Sequence, residues 1–211
     1  MADHKKISAY SIVRNNTVSK NGALIFEYEK DAGANDFLLA AYRQFAINYP
    51  KFYKMDNLCK LGIIAAEVLL KDQTFESNDP YATGIVLSNA NSSLDTDIKY
   101  YDTVANIASP ALFVYTLPNI VIGEISIKFS FKGENAFFIF DSFNADFTTH
   151  YVNNLFDTTG IHRCICGWVD LPGNDYEAIL FLIEKKETLN EQEAFTKENL
   201  NNIYYTSNGK S

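Results

Sequence analysis

The chain has 211 residues, enough for one ordinary domain, and its 47% apolar residues, with 13 tyrosines and 16 phenylalanines, can fill a substantial core. A formal net charge of −8 at pH 7 excludes a basic phosphate-tracking stripe and makes nucleic acid a poor partner. No apolar run approaches the roughly 18 residues that span a bilayer.

In chain order, residues 7–13 and 23–28 read as two short β runs, with Asn15, Asn16, Asn21 and Gly22 marking turns between and beside them. Residues 36–48 place Phe37, Ala41 and Phe45 every four positions, one apolar helical face, and Pro50 closes it. The clearest helix spans 55–70, where Leu58, Leu61, Ala65, Val68 and Leu69 fall at helical spacing. Its small residues Gly62, Ala65 and Ala66 let another element approach closely. Residues 83–88 read as a short buried strand, and the polar stretch 89–97 as an exposed loop.

Pro118 suits a first helical turn, so 120–129 reads as a helix, although Val121, Ile122, Ile125 and Ile127 leave a strand open. Residues 136–140 are short and wholly apolar, as a strand covered on both faces should be. Phe143, Phe147, Tyr151 and Leu155 then recur every four positions, a helix with an apolar stripe capped by Asp141 or Ser142 and ended by Gly160. Residues 163–169 and 177–183 read as two strands joined at 171–174 into a hairpin. The stretch 187–211 is polar and Asn-rich, with a weak helix at 191–200 and docking only through Ile203, Tyr204 and Tyr205. Strands alternating with helices give an α/β layered fold, and the final hairpin makes the sheet mixed.

Chemistry-bearing residues are sparse. The first residues show no secretory signal, and three cysteines (Cys59, Cys164, Cys166) are too few, and odd in number, for a disulfide framework. The chain therefore reads as cytoplasmic. His162, Cys164 and Cys166 alternate along one strand and share a face, which is a metal pattern, but no fourth ligand is evident and small thiols pack well in strands. No metal is therefore assigned. Gly22, Gly33 and Gly84 make no phosphate-binding pattern, and no cofactor is expected.

An ordered set of short motifs carries a resemblance. Residues 53–56 (Tyr-Lys-Met-Asp) enter an Ala-rich helix, and 84–88 (Gly-Ile-Val-Leu-Ser) form a glycine-led strand. Ser109-Pro110, Leu117-Pro118-Asn119 and Lys132-Gly133 follow, and 166–170 (Cys-Gly-Trp-Val-Asp) end on an acid. Together they resemble the N-terminal half of a β-ketoacyl-ACP synthase, in the thiolase-like superfamily, over about residues 50–185. The nearest likeness is to stand-alone ketosynthase N-terminal-domain proteins, a group that accompanies aryl polyene and flexirubin pigment clusters.

The resemblance implies a five-stranded mixed sheet covered by helices, with a ketosynthase-like domain at 1–186 and a polar tail at 187–211. It also implies that the third strand of the domain, here 136–140, pairs across a dimer axis. In that family a cysteine nucleophile stands at the following strand-to-helix junction. Here the position falls on Ser142, or on Phe143 with a one-residue slip. His4, His150 and His162 lie away from the expected base, and the family's further catalytic residues come from a second half. No residue is assigned a catalytic role with conviction. Ser142 reads first as a cap, and Asp141 with Asp146 as solvated helix-start acids. Phe137, Phe138, Phe140 and Phe143 are candidates for an acyl pocket or an interface, with plain core as the blander reading.

The implied function is that of a non-catalytic ketosynthase-like protein. It would assist fatty acid, polyketide or aryl polyene chain assembly by pairing with itself, with a ketosynthase or chain-length factor, or with an acyl carrier protein. Two alternatives stand beside it. One is a 3-oxoacyl-ACP synthase or acyltransferase using Ser142 or a partner chain's residues. The other is an acyl-ligand binding module.

Overall fold

Asn15 and Asn16, both at positive φ, turn the first strand back on itself. Asparagine tolerates that conformation, and two such residues form the tight turn that matches strand twist. The turn joins β1 (His4–Arg14) to β2 (Thr17–Lys20). Asn21 and Gly22 repeat the device and lead into β3 (Ala23–Glu27). The computed structural model describes residues 4–75, 79–186 and 190–206.

After β3 come α1 (Ala34–Gln44) and α2 (Asn57–Leu70), then β4 (Thr83–Asn89). Helices α3 (Leu94–Val104), α4 (Pro110–Phe113) and α5 (Ile120–Phe129) precede the strand β5 (Asn135–Ile139). The chain continues through α6 (Ala145–Thr158), the hairpin β6 (Arg163–Asp170) and β7 (Glu177–Lys186), and α7 (Lys197–Thr206). The seven strands form one sheet in the order β3-β2-β1-β7-β6-β4-β5. β4 runs parallel to β5 and β6, and every other pairing is antiparallel.

The sheet is mixed, as expected, but has seven strands and not five. The runs read from the sequence account for β1, β3, β4, β5, β6 and β7; β2 is the strand that was not expected, and it joins β3 to the β1 side of the sheet. β2 was missed because its four residues lie between two turn signals, too short for an alternation to register. The stretch 89–97 is also corrected. Asn89 is the fully buried end of β4, and α3 begins at Leu94.

Two layers of side chains cover the sheet. One face packs against α1, α2 and α5 around Phe37, Leu61, Ile64, Leu69 and Ile125. The small residues of α2 act as anticipated. A Cβ on Gly62 would stand 2.2 Å from Val121 Cγ2, so glycine is what lets α5 lie this close. Residues 120–129 are therefore settled as helix: Val121, Ile122 and Ile125 face α2 with buried side chains. The other face packs against α6 and α7 around Phe143, Val152, Phe156, Cys166 and Phe181. Docking of α7 rests on Leu200 and Tyr204, with the partly buried Ile203 beside them and Phe195 just ahead of the helix, while Tyr205 stays exposed. Residues 187–189 and 207–211 of the polar tail lie outside the described residues. Among the described residues no single helix is long and apolar enough to cross a membrane.

Candidate functional site

The corner between β5 and α6 holds the position singled out by the sequence. Ser142 lies in the bend at 141–142, three residues ahead of the helix, and is exposed. Among the described residues its hydroxyl has no hydrogen-bond partner. The helix cap is neither Asp141 nor Ser142 but Asn144, whose side-chain oxygen accepts from Phe147 N at 2.9 Å. Asparagine is as good a cap as aspartate or serine, and the bend places it, not Ser142, over the first turn. The acids of this corner point outward: Asp146 faces Lys197 at 3.4 Å and His150 at 3.7 Å. His150 also engages the carbonyl of Asp146 at 2.8 Å, so it belongs to the helix surface.

Phe143 turns inward where Ser142 turns out. It is buried between Phe181 of β7, centroids 6.1 Å apart, and Tyr204 of α7, centroids 4.7 Å apart and stacked. The Tyr204 hydroxyl donates to Glu177, which in turn faces Arg14 at 3.6 Å. A buried aromatic stack therefore closes the inner side of the corner. Burial and the Glu177 carboxylate both push the Tyr204 phenol up, so it stays protonated and can keep donating.

The four candidate phenylalanines do not line one space. Successive residues of a strand point to opposite faces. Phe137 joins the α2–α5 side, while Phe138 and Phe140 join the α6 side. There Phe138 meets Phe147 at 4.7 Å and Tyr151 at 4.9 Å, and Phe140 meets Phe147 at 4.9 Å. This half-buried aromatic group sits at the β5 edge of the sheet. Of the expected stripe, Phe143 and Leu155 are buried, but Phe147 and Tyr151 are only half-buried, and α6 turns Thr148, Val152 and Phe156 inward beside Leu155. Tyr204 had no sequence signal that tied it to the corner.

The cysteines are not candidates for a thiolate. Cys59, Cys164 and Cys166 are all buried, and burial pushes each thiol up. His162 is exposed just before β6 and does not share the buried surroundings of Cys164 and Cys166. Beyond the corner, α3, α4 and the turn after them expose Ile98, Tyr101, Ile107, Phe113 and Leu117, each more than half accessible. Contiguous exposed apolar area marks contact surfaces in soluble proteins.

No family model matches the chain, and no curated protein is similar to it. Solved structures are similar in fold. The ishigamide ketosynthase/chain length factor superposes with a TM-score of 0.61 and 15% identity, over 88% of this chain and 63% of that one. A ketosynthase in complex with its chain length factor from Xenorhabdus doucetiae gives 0.56 and 11%, over 87% and 79%. A beta-ketoacyl synthase from Burkholderia phymatum STM815 gives 0.57 and 10%, over 100% and 62%. The likeness is one of fold, and this chain spans less than two thirds of the length of the first and third of these. The fold shared with these ketosynthase structures is the one the resemblance implied, and Ser142 lies at a strand-to-helix corner of it.

Proposed function

We propose that the chain is a non-catalytic ketosynthase-like protein that assists acyl-chain assembly by pairing with a condensing enzyme or an acyl carrier protein. The observation that carries this reading is the corner itself. A ketosynthase-type fold presents an exposed serine and a stacked phenylalanine where the resembled family places a cysteine. The paired assemblies among the fold neighbours support a partner of ketosynthase or chain-length-factor type. The β5 edge and the apolar surface of α3 and α4 supply surfaces for it, either with a second copy or with such a subunit. An unpaired strand edge invites another strand. An aryl polyene setting and a cytoplasmic location belong to the same proposal.

Two measurements test it. Affinity capture from native lysate, read by mass spectrometry, is expected to identify a ketosynthase or an acyl carrier protein; recovery of neither overturns the pairing. Incubation with acyl-thioesters is expected to leave the intact mass unchanged. A stable adduct that disappears in Ser142→Ala would replace this reading with that of an acyltransferase. The aromatic group of Phe138, Phe140, Phe147 and Tyr151 favours a second reading, an acyl-ligand module. A saturable thermal shift with fatty acyl ligands, lost in Phe138→Ala, would establish it.

A further inference from the structure

Three charged side chains stand in one row where β1 and β6 end and β7 begins. Arg14 lies opposite Glu177, and Glu177 opposite Asp170, in the strand registers. Cross-strand partners project from one face of a sheet, so the three are neighbours. Ligands of open α/β sheets collect at the carboxyl ends of the parallel strands, and β1, β4 and β6 all end on this side.

The row is held but not satisfied. Asp170 accepts from the backbone N–H of Asn91 at 3.0 Å and from its side-chain amide at 2.7 Å. Glu177 takes the Tyr204 hydroxyl on one oxygen and faces Arg14 Nη1 with the other. Arg14 is only 7% exposed, and its Nη2 is buried with no hydrogen-bond partner among the described residues. A cavity of about 250 Å³ opens beside the row, with Asn15, Asp175 and Tyr176 completing its wall. Asp175 stands on the exposed turn at its rim.

The chemistry of the wall selects the ligand. One guanidinium faces three carboxylates, so a bare anion is repelled. A simple amine would answer the carboxylates and bring no acceptor to Arg14, which lines the same cavity. A metal ion would meet the guanidinium, and the described residues offer no group of three or more ligands for one. What answers both is a molecule with an ammonium at one end and an acceptor at the other. The cavity equals about eight water volumes at ~30 Å³ each, room for a small molecule only.

We propose that this cleft binds a small zwitterion, an α-amino acid of about glycine to serine size. Its carboxylate accepts from Arg14, and its ammonium donates to Asp170 and Asp175. The site is separate from the corner at Ser142 and independent of the proposed acyl-assembly role.

Calorimetric titration of the full chain with glycine and with L-serine tests it, with acetate and methylammonium as the two half-ligands. Saturable binding of at least one amino acid is expected, tighter than either half-ligand by tenfold or more. Asp175→Asn, on the exposed turn, should weaken it at least fivefold, and a folded Arg14→Gln should abolish it. Absence of saturable binding by both amino acids overturns the proposal. So does equal binding by acetate or methylammonium, which would mark an ordinary polar cleft. Unchanged affinity in Asp175→Asn overturns it as well, and settles the matter even if Arg14→Gln fails to fold.

Discussion

The two faces of the sheet are built differently. On one, α2 is buried almost all round, pressed between the strands and α5, and its contacts are aliphatic and close. On the other, α6 buries one stripe and leaves Phe147 and Tyr151 half open, and the covering is completed by a single short helix from the end of the chain. The first face is finished core. The second carries the features that chemistry can use: the Ser142 corner, the aromatic group at the β5 edge, and the charged row beneath Tyr204. Close packing leaves little access, so the α2–α5 contact is the most tightly filled part of the molecule, while open groups lie on the α6 side and on the outer surface of α3 and α4.

Truncation on each side measures that difference. Leu61 is fully buried on the α2 side, and Leu61→Ala should cost about 4 kcal/mol, because the tightly held α2–α5 pair cannot collapse into the space. Tyr204→Ala should cost less, about 2 to 3 kcal/mol, since α7 can resettle onto Phe143. Urea melts of both variants check the order. If Tyr204→Ala proves the more damaging, α7 is part of the main core and the division between the faces fails. Tyr204→Phe keeps the ring stack and should lose about 1 kcal/mol with the bond to Glu177.

The sequence made the α2 side legible and left the α6 side obscure, for physical reasons. Leu58, Leu61, Ala65, Val68 and Leu69 repeat at the helical period over a long run, and a helix buried all round leaves no ambiguity about where they face. On the α6 side the same rule misled. The four-residue stripe of aromatics from Phe143 is real, but Phe143 precedes the helix, and Phe147 and Tyr151 turn toward Phe138 instead of the sheet. Aromatic residues at an exposed edge and in a core share one composition, so periodicity cannot separate them. The cap was misassigned by two or three residues because Asp141, Ser142 and Asn144 all have capping side chains and only the bend selects among them. The charged row was invisible, because Arg14, Asp170 and Glu177 meet only through the register of three strands.

The cap gives a smaller and sharper test. Asn144→Ala should cost about 1 kcal/mol by orphaning the N–H of Phe147. Ser142→Ala, two residues away, should leave stability within about 0.5 kcal/mol, as expected of an exposed surface position. A larger loss from Ser142→Ala would mean that the exposed serine and not Asn144 holds the start of α6, and the corner would lose its available hydroxyl.

The smallest expected effect lies at the seam where α2 meets α3. Asp56 caps α2 by accepting from Cys59 N at 2.9 Å and accepts from the Thr96 hydroxyl at 2.8 Å. Burial raises its pKa above the ordinary carboxylate value, with a smaller push from Asp95, against the lowering effect of the bonds from Cys59 and Thr96. A carboxyl raised on folding binds its proton more tightly in the folded state. The stability it adds is therefore complete below about pH 4 and is lost as pH rises through the folded pKa. The substitution Asp56→Asn keeps one side-chain oxygen for the Cys59 N–H and sets an amide N–H against the Thr96 hydroxyl, which can turn to accept it, while removing the desolvated charge. It should flatten this part of the pH dependence between pH 4 and 7, and at pH 7 the variant should equal or exceed the parent by less than about 1 kcal/mol. Urea melts across that range check it. A variant that is weaker at pH 7 than at pH 4, relative to the parent, would show the ionised carboxylate to be the stabilising cap, and the α2 side would then depend on a buried charge as the α6 side does.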